Sequence, residues 1–328
     1  MIRYLFNVVA IACSVLAFAG ESRAQSYPNR TITVIVPFAA GGPTDIVARV
    51  IGAQLSTSLG QQVVVENVAG AAGTTGAIRA VRATPDGYTV LVAGMSTMSF
   101  SPTLYPNLPV NFMTGLEPIG IIASAPIVLV AGKQVPGDTV KDFAAYISAN
   151  ADKSANGHAG VGSSSHLACT LLNARLGLKP SVVPYRGTGP AMNDIVSGQI
   201  QYMCDQTTSV MAQVQGGTVK ALAVLAPRRS AVLPNVPTMA EAGYPGTEMV
   251  LWNAMFAPKG TPPEIVKQIN AAIIKGNEDS AARTRFADLG AEAPPPDQRS
   301  PEALAKIWTA DVEKWGKIIR DADIKPVN

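Results

Sequence analysis

The 328-residue chain carries 26 lysines and arginines against 23 aspartates and glutamates, a net charge of +3 that offers no basic field to nucleic acid. Apolar residues make up 47% of it and aromatic ones only 6%, the aliphatic composition of buried parallel strands. His158 and His166 are the only histidines and no Cys-x-x-Cys occurs, so neither a metal nor a cofactor is expected.

Residues 1–24 read as a signal peptide. Arg3 supplies the positive start, "YLFNVVAIACSVLAFAG" the apolar run, and "SRAQ" places Ser22 and Ala24 where a signal peptidase inspects. The uninterrupted run falls short of the roughly 20 residues that span a bilayer. Cys13 lies inside that run, which argues against a lipoprotein anchor. Cleavage near Ala24 and export are expected.

In the mature chain, "TITVIVPF" (31–38) predicts a strand, and Val47, Val50, Ile51, Leu55 and Leu59 mark one face of a helix. "VVVEN" (63–67) is a second strand, followed by the loop "VAGAAGTTG" and a short helix to about Ala83. After the turn "PDGY", "TVLVAG" (89–94) is a third strand, completing a β-α-β-α-β unit with a parallel sheet. A second unit starts near residue 126 with the strand "IVLVA" (127–131) and a helix through Val140, Phe143, Ala144 and Ile147. It continues through the helix 163–178, "SVVPY" (181–185), the helix 189–198, "IQYMCD" (200–205), a helix near 207–216 and "VKALAVLA" (219–226). "EMVLWNAMFAP" (248–258) predicts a last strand, and two or three helices end the chain. These helices have no strands of their own to cover and are expected to pack on the first unit. The expected organisation is two α/β lobes, 25–125 with 251–328 and 126–250, with crossings near residues 125 and 250.

In an open parallel sheet, ligands sit outside the carboxyl ends of the strands, where this chain repeatedly places glycine turns. In "AAGGPTD", Gly42 caps a helix, Pro43 is its first residue and Asp45 a first-turn acid. Unpaired N–H groups at such a helix start form a general anion site. The turn has no P-loop lysine, so it suits a carboxylate better than a triphosphate. Taken alone, it is equally a plain strand-to-helix turn. "GAAGTTG" (70–76), "GVGSSSH" (160–166) and "PYRGTGP" (184–190) repeat the pattern, and four such exits on two lobes would line a cleft. Ser163, Ser164, Ser165 and His166 invite a hydrolase reading, but the Gly-x-Ser-x-Gly elbow is missing and capping or ligand contact is favoured. Arg186 suits a second carboxylate or a solvated loop. Trp252 reads as a packed hinge residue and His158 as a structural strand residue. Cys169 and Cys204, an even pair in an exported chain, allow a disulfide, with buried free thiols the competing reading.

"YPNRTITVIVPFAAGGPTDIVAR", "QQVVVENVAGAAGTTGA", "TPDGYTVLV", "GSSSHLA", "PYRGTGPAMNDIVSGQIQYMCDQ", "LPNVPTMAEAGYPG" and "APKGTPPEIV" occur in this order. Together they resemble the Bug family, the extracytoplasmic solute-binding proteins of tripartite tricarboxylate transporters, over nearly the whole mature chain. The resemblance implies a type II periplasmic binding-protein fold in the periplasm, with two lobes closing over a carboxylated solute and no catalysis. In the family the loop after the first strand cradles a carboxylate, which maps here onto Phe38, Ala39, Ala40, Gly41, Gly42 and Asp45. The asparagine of "VENVAG" maps onto Asn67, and "GAAGTTG" contributes Gly73 and Thr74. Contacts of the second lobe fall on Ser163, Ser164, Ser165, His166, Tyr185, Arg186, Gly187, Asp205 and Gln206. "AGMSTMSFSPTLY", with Ser96 and Thr97, departs from the more usual asparagine- or histidine-bearing form, so the resemblance implies a small di- or aromatic carboxylate without naming it. The implied partners are the small carboxylate and the membrane permease subunits, with the receptor a monomer. The same cleft would serve a protein that presents its ligand to a sensor kinase.

Overall fold

A computed structural model describes residues 27–327; the expected signal peptide and its cleavage site lie outside the described residues. Among the described residues no helix is long and apolar enough to cross a membrane.

The first unit forms as expected, from β1 (Ile32–Val36), α1 (Pro43–Leu59), β2 (Val63–Asn67), α2 (Thr74–Val81) and β3 (Thr89–Gly94). β1 pairs in parallel with both β2 and β3. Its β-branched run is stiff at χ1 and suits a pleated, buried surface. Val34 and Val36 pack with Val47, Ile51 and Leu55 of α1 in one core cluster. α1 starts at Gly42 and Pro43 and stops at Gly60, whose left-handed φ of 70° ends the helix without a Cβ clash.

Beyond β3 the sequence predicted no element. The chain instead makes a buried π-helical turn at Ser96–Phe100 and a short helix at Ser101–Leu104. β4 (Leu116–Gly132) is one 17-residue strand, far longer than the five residues expected. Pro118 and Pro126 obscure it, because proline lacks the N–H that a ladder needs. Pairing with the last strand shifts register between Pro118 and Gly120, and β4 changes partners just after Pro126.

The second half holds α3 (Val140–Ala149), β5 (Ala155–His158), α4 (Ser164–Leu176), β6 (Ser181–Pro184), α5 (Thr188–Val196), β7 (Tyr202–Gln206), α6 (Thr207–Gln215) and β8 (Val219–Leu225). β5 is parallel to β6 and β7, as alternation predicts. The end of β4, however, is antiparallel to both β7 and β8. It arrives from the first half rather than through a crossover helix, so it runs against its neighbours.

β9 (Val250–Pro258) returns antiparallel to β3 and to the first part of β4. The strand order is β2-β1-β3-β9-β4-β7-β5-β6, with β8 also on β4. The last helices are α7 (Pro263–Glu278), α8 (Ser280–Asp288) and α9 (Pro301–Asp321). Asn270 and Asn277 of α7 donate to the Ile119 and Ile122 carbonyls of β4. On α9, Trp308 donates its indole N–H to Met98 O, and the Trp315 ring lies 4.8 Å from that of Phe100. Both helices therefore cover the first half of the sheet. Cys169 of α4 and Cys204 of β7 face each other with Cα atoms 5.5 Å apart.

Candidate functional site

At the turn between β1 and α1, Gly41 takes a φ of +83°, which glycine tolerates without the Cβ penalty. Asp45 pins this turn from inside. Buried to 3% exposure, it accepts from Gly41 N–H (3.0 Å), Arg49 Nε (3.0 Å) and Asn67 Nδ2 (2.9 Å). Asn67 also donates to Phe38 O at 2.9 Å, tying β2 to the turn. Burial alone would raise the Asp45 carboxyl, but these hydrogen bonds and the Arg49 charge outweigh it and hold it below the usual carboxylate range.

Asp45 and Asn67, mapped as ligand contacts, do not line this cavity and instead brace the turn. Gly41 N–H is likewise spent on Asp45. The cavity is lined instead by Phe38, Gly42, Pro43 and Thr44 of this segment. The first N–H groups of α1 have no partner within the helix and are the donors on offer there.

Opposite stand the starts of three more helices. Ser163 caps α4, accepting from His166 N–H at 3.2 Å, and Ser163 and Ser164 line the cavity. Thr188 opens α5, and Asp205 and Gln206 end β7 where α6 begins. Four helix N-termini thus meet at one cavity between the two halves of the sheet. Among the described residues, no lysine or arginine lines it. Each helix terminus favours an anion by about 0.3–1 kcal/mol, more when partly buried.

The floor is a polar chain that sequence reading missed. Thr44 donates to Asn253 Oδ1 at 3.0 Å, Asn253 donates to Gln206 Oε1 at 3.3 Å, and Gln206 donates to Leu251 O at 3.0 Å. Trp252, expected only to pack, also lines the cavity and donates its indole N–H to Asp311 at 2.8 Å. Asn253 and Trp252 sit in an apolar-looking strand with no motif to flag them.

Several expected contacts prove to be seams between the halves rather than cavity wall. Ala39 N–H donates to Arg186 O at 3.1 Å, and a Cβ on Gly187 would lie 2.9 Å from Ala39 N. Any side chain at Gly189 would collide with Ala40 O, so glycine is what lets the two backbones touch. The Arg186 side chain is exposed and does not line the cavity, as in the solvated-loop alternative. Tyr185 donates its hydroxyl to Asp194 at 2.6 Å, also outside the lining.

In "GAAGTTG", Ala71 and Ala72 adopt left-handed φ of 43° and 50°, an uncommon conformation for alanine. Ala72 backs on Gly160 of the second half and accepts from Thr97 at 3.2 Å. Gly73 is pressed against Thr97 and the Phe38 ring, and Thr74 donates to Ala71 O at 2.9 Å. Gly73, Thr74 and Thr97 thus prop the wall without lining it, whereas Ser96 does line it.

The serine cluster is knitted to itself. Ser163 and Ser165 hydroxyls are 3.1 Å apart, Ser165 accepts from Ala159 N–H, and His166 Nδ1 accepts from Gly162 N–H at 3.2 Å. Among the described residues no serine hydroxyl is hydrogen-bonded to a histidine ring. The His158 and His166 rings lie 4.6 Å apart, and burial followed by the His166 charge pushes His158 down to about 4. Burial lowers His166 too. Among the described residues no cluster of three or more His, Cys, Asp or Glu is placed to hold a metal ion.

Asp205 is different. It is fully buried, its Oδ2 accepts from Ser209 at 2.5 Å, and its Oδ1 has no partner. Burial pushes its carboxyl up to about 6, against the lowering effects of Ser209, Thr188 and Gln206 N–H. The nearby Thr188 hydroxyl also lacks hydrogen-bond geometry to any partner.

The model of the tripartite tricarboxylate transporter family receptor, TctC, matches residues 47–324. The solved structure of the periplasmic binding protein BugD is 40% identical, with a TM-score of 0.89 over 92% of this chain and all of that one. MatC from Rhodopseudomonas palustris, solved with bound malate, is 42% identical, with a TM-score of 0.85 over 89% of this chain and all of that one. Another R. palustris protein, solved with adipate, is 30% identical, with a TM-score of 0.87 over 92% of this chain and all of that one. The fold is that of these periplasmic binding proteins. The chain belongs to the TctC family of tripartite tricarboxylate transporter receptors, of which the Bug proteins are members.

Proposed function

We propose that this protein is an exported receptor that captures a small carboxylate in the periplasm and presents it to the membrane subunits of a tripartite tricarboxylate-type transporter. The observation that carries this reading is the convergence of four helix N-termini on one cavity that, among the described residues, no lysine or arginine lines. Backbone dipoles and N–H groups suit a carboxylate there. Similar proteins solved with malate and adipate, both dicarboxylates, support the same ligand class.

The two halves act as lobes, 25–125 with 251–328 and 126–250. Between them the chain crosses along β4 at Pro126 and back into β9 at Val250, two residues that pair with each other. The cavity measures about 20 Å³, little more than one water requires, so a solute enters only if the lobes part. A ligand touching both lobes then favours closure. Small-angle scattering of the protein at saturation should match the closed form, with a larger radius in its absence. An equal radius in both states contradicts a hinge.

The reading is of binding without turnover. That no serine hydroxyl among the described residues is hydrogen-bonded to a histidine ring supports it, and incubation with ester and amide panels tests it. Saturable binding with unchanged substrate is expected; hydrolysis overturns it. Deletion of the gene should abolish uptake of the solute, whereas a role confined to a sensor kinase would leave uptake intact.

Export implies a mature amino terminus near Gln25, and an intact mass that still includes Met1 contradicts it. The Cys169–Cys204 spacing, Cα to Cα 5.5 Å, fits a disulfide joining α4 to the strand that bears Asp205. Closing this 35-residue separation stabilises by about 3–4 kcal/mol in the chain-entropy model. Reduction should lower the melting temperature, and labelling of two thiols in denatured, unreduced protein would refute the bridge.

A further inference from the structure

A cavity assembled from helix N-termini and hydroxyls is rich in donors, and one group in it has the opposite character. Asp205 is 0% exposed, lines the cavity from the end of β7, and leaves Oδ1 without a hydrogen-bond partner. The Thr188 hydroxyl, 3% exposed at the start of α5, lines the same cavity and is equally without a partner. Thr188 lies near enough to Asp205 to lower its carboxyl, but the two do not meet in hydrogen-bond geometry, and since buried polar atoms are nearly always paired, both call for an explanation. Ser209 satisfies only Oδ2, and among the described residues no lysine or arginine lines the cavity to neutralise the carboxylate. A second carboxylate of a solute placed against Asp205 would meet like charge. A hydroxyl or ammonium there would instead donate to Oδ1, with Thr188 able to accept from it or to donate to its oxygen.

Resting on the carboxylate reading above, we propose that Asp205 and Thr188 form a donor-seeking subsite. It selects carboxylates that also carry a hydroxyl or ammonium group. The acid end of the solute lies at the start of α1, and the donor faces β7 and α5. Specificity follows because a site built to bond a donor is left with unpaired buried groups when the analogue lacks it.

The test is calorimetry on the purified mature chain with acids matched in carbon skeleton: succinate, malate and aspartate; glutarate, 2-hydroxyglutarate and glutamate; propionate, lactate and alanine. In at least one set, the hydroxy or amino member should bind at least tenfold tighter than the unsubstituted one. Which of the two is tighter identifies the donor. Asp205→Asn should shrink that preference to within about threefold. Thr188→Val should also reduce it, and this variant and the parent ratio decide the matter if Asp205→Asn does not fold. Unsubstituted acids binding as tightly as their substituted partners would overturn the subsite while leaving carboxylate capture standing. If no acid in any set binds while adipate, citrate or benzoate does, the subsite is overturned and carboxylate capture stands; if none of these acids binds either, the carboxylate reading falls and this inference falls with it.

Discussion

The two walls of the cavity are built on opposite terms. On the first half, the turn from Phe38 to Thr44 is braced before any ligand arrives: Asp45 collects Gly41, Arg49 and Asn67, and the Thr44 hydroxyl is tied to Asn253, which leaves the first N–H groups of α1 as the donors on offer. On the second half, Asp205 Oδ1 and Thr188 Oγ1 are buried and unmatched. The first wall is a pre-organised donor surface with its scaffolding hidden behind it, which lowers the cost of binding. The second carries its hydrogen-bonding debt into the cavity. On the proposals above, general affinity for an acid would belong to the first wall, and discrimination among acids to the second.

The contrast breaks most sharply at Gly42. Its φ of −81° suits any residue, so a side chain is no backbone problem, but a Cβ there would stand 3.2 Å from Thr188 Oγ1, between the walls. Gly42→Asp also sets a negative charge at the start of α1 where the solute acid should sit. A loss of more than about 100-fold in affinity is expected, roughly 2.7 kcal/mol or more. Circular dichroism should show the fold intact and calorimetry the lost binding; a folded Gly42→Asp that binds like the parent contradicts the role of this wall.

Removing the scaffold should cost stability first and affinity second. Asp45→Ala strips partners from Gly41, Asn67 and Arg49, with an expected loss of about 2–3 kcal/mol in denaturant unfolding, near the value for one strong charge-assisted bond because Arg49 is half exposed. The sign with pH follows from the lowered Asp45 carboxyl. Its contribution is present above the unfolded carboxylate value and is lost as pH falls through the folded one. The difference between parent and Asp45→Ala should therefore shrink on acidification, and a gap that widens would contradict this account.

Asp205 should show the reverse sign and a smaller effect. Its carboxyl is raised to about 6, so the folded state binds the proton more tightly than the unfolded state and stability falls as pH rises between about 4 and 6. Asp205→Asn should melt higher than the parent at pH 8 in the absence of ligand and close to it at pH 4. Equal melting temperatures at pH 8 would mean that burying this carboxylate costs nothing.

Much of this was legible in the sequence, for local reasons. Gly42–Pro43 and Ser163 announce helix starts through their own backbone chemistry, and alternating aliphatic runs announce the parallel units. What stayed hidden depends on distant partners. Asp45 and Asn67 sit in motifs that look like ligand contacts, and only the approach of β2 to the turn reveals them as its scaffold. Thr44, Asn253 and Trp252 enter the cavity because β9 crosses beneath α1, a pairing that no local pattern encodes. The glycines of "PYRGTGP" signal close backbone approach, but the approach is to Ala39 and Ala40 rather than to a ligand. The length of β4 was masked by Pro118 and Pro126, which lie at the first of its register shifts against β9 and at its change of partners.

The central claim is that helix N-termini at this cavity hold a carboxylate, and it is tested most directly by titrating one protein with acids and their carboxamides. Calorimetry would compare each acid that binds with the amide of the same skeleton, which keeps the shape but lacks the charge and puts an NH2 donor in place of one acceptor oxygen. The account predicts saturable binding of the acid and at least a 100-fold weaker response to the amide. An amide that binds as tightly as its acid would contradict it.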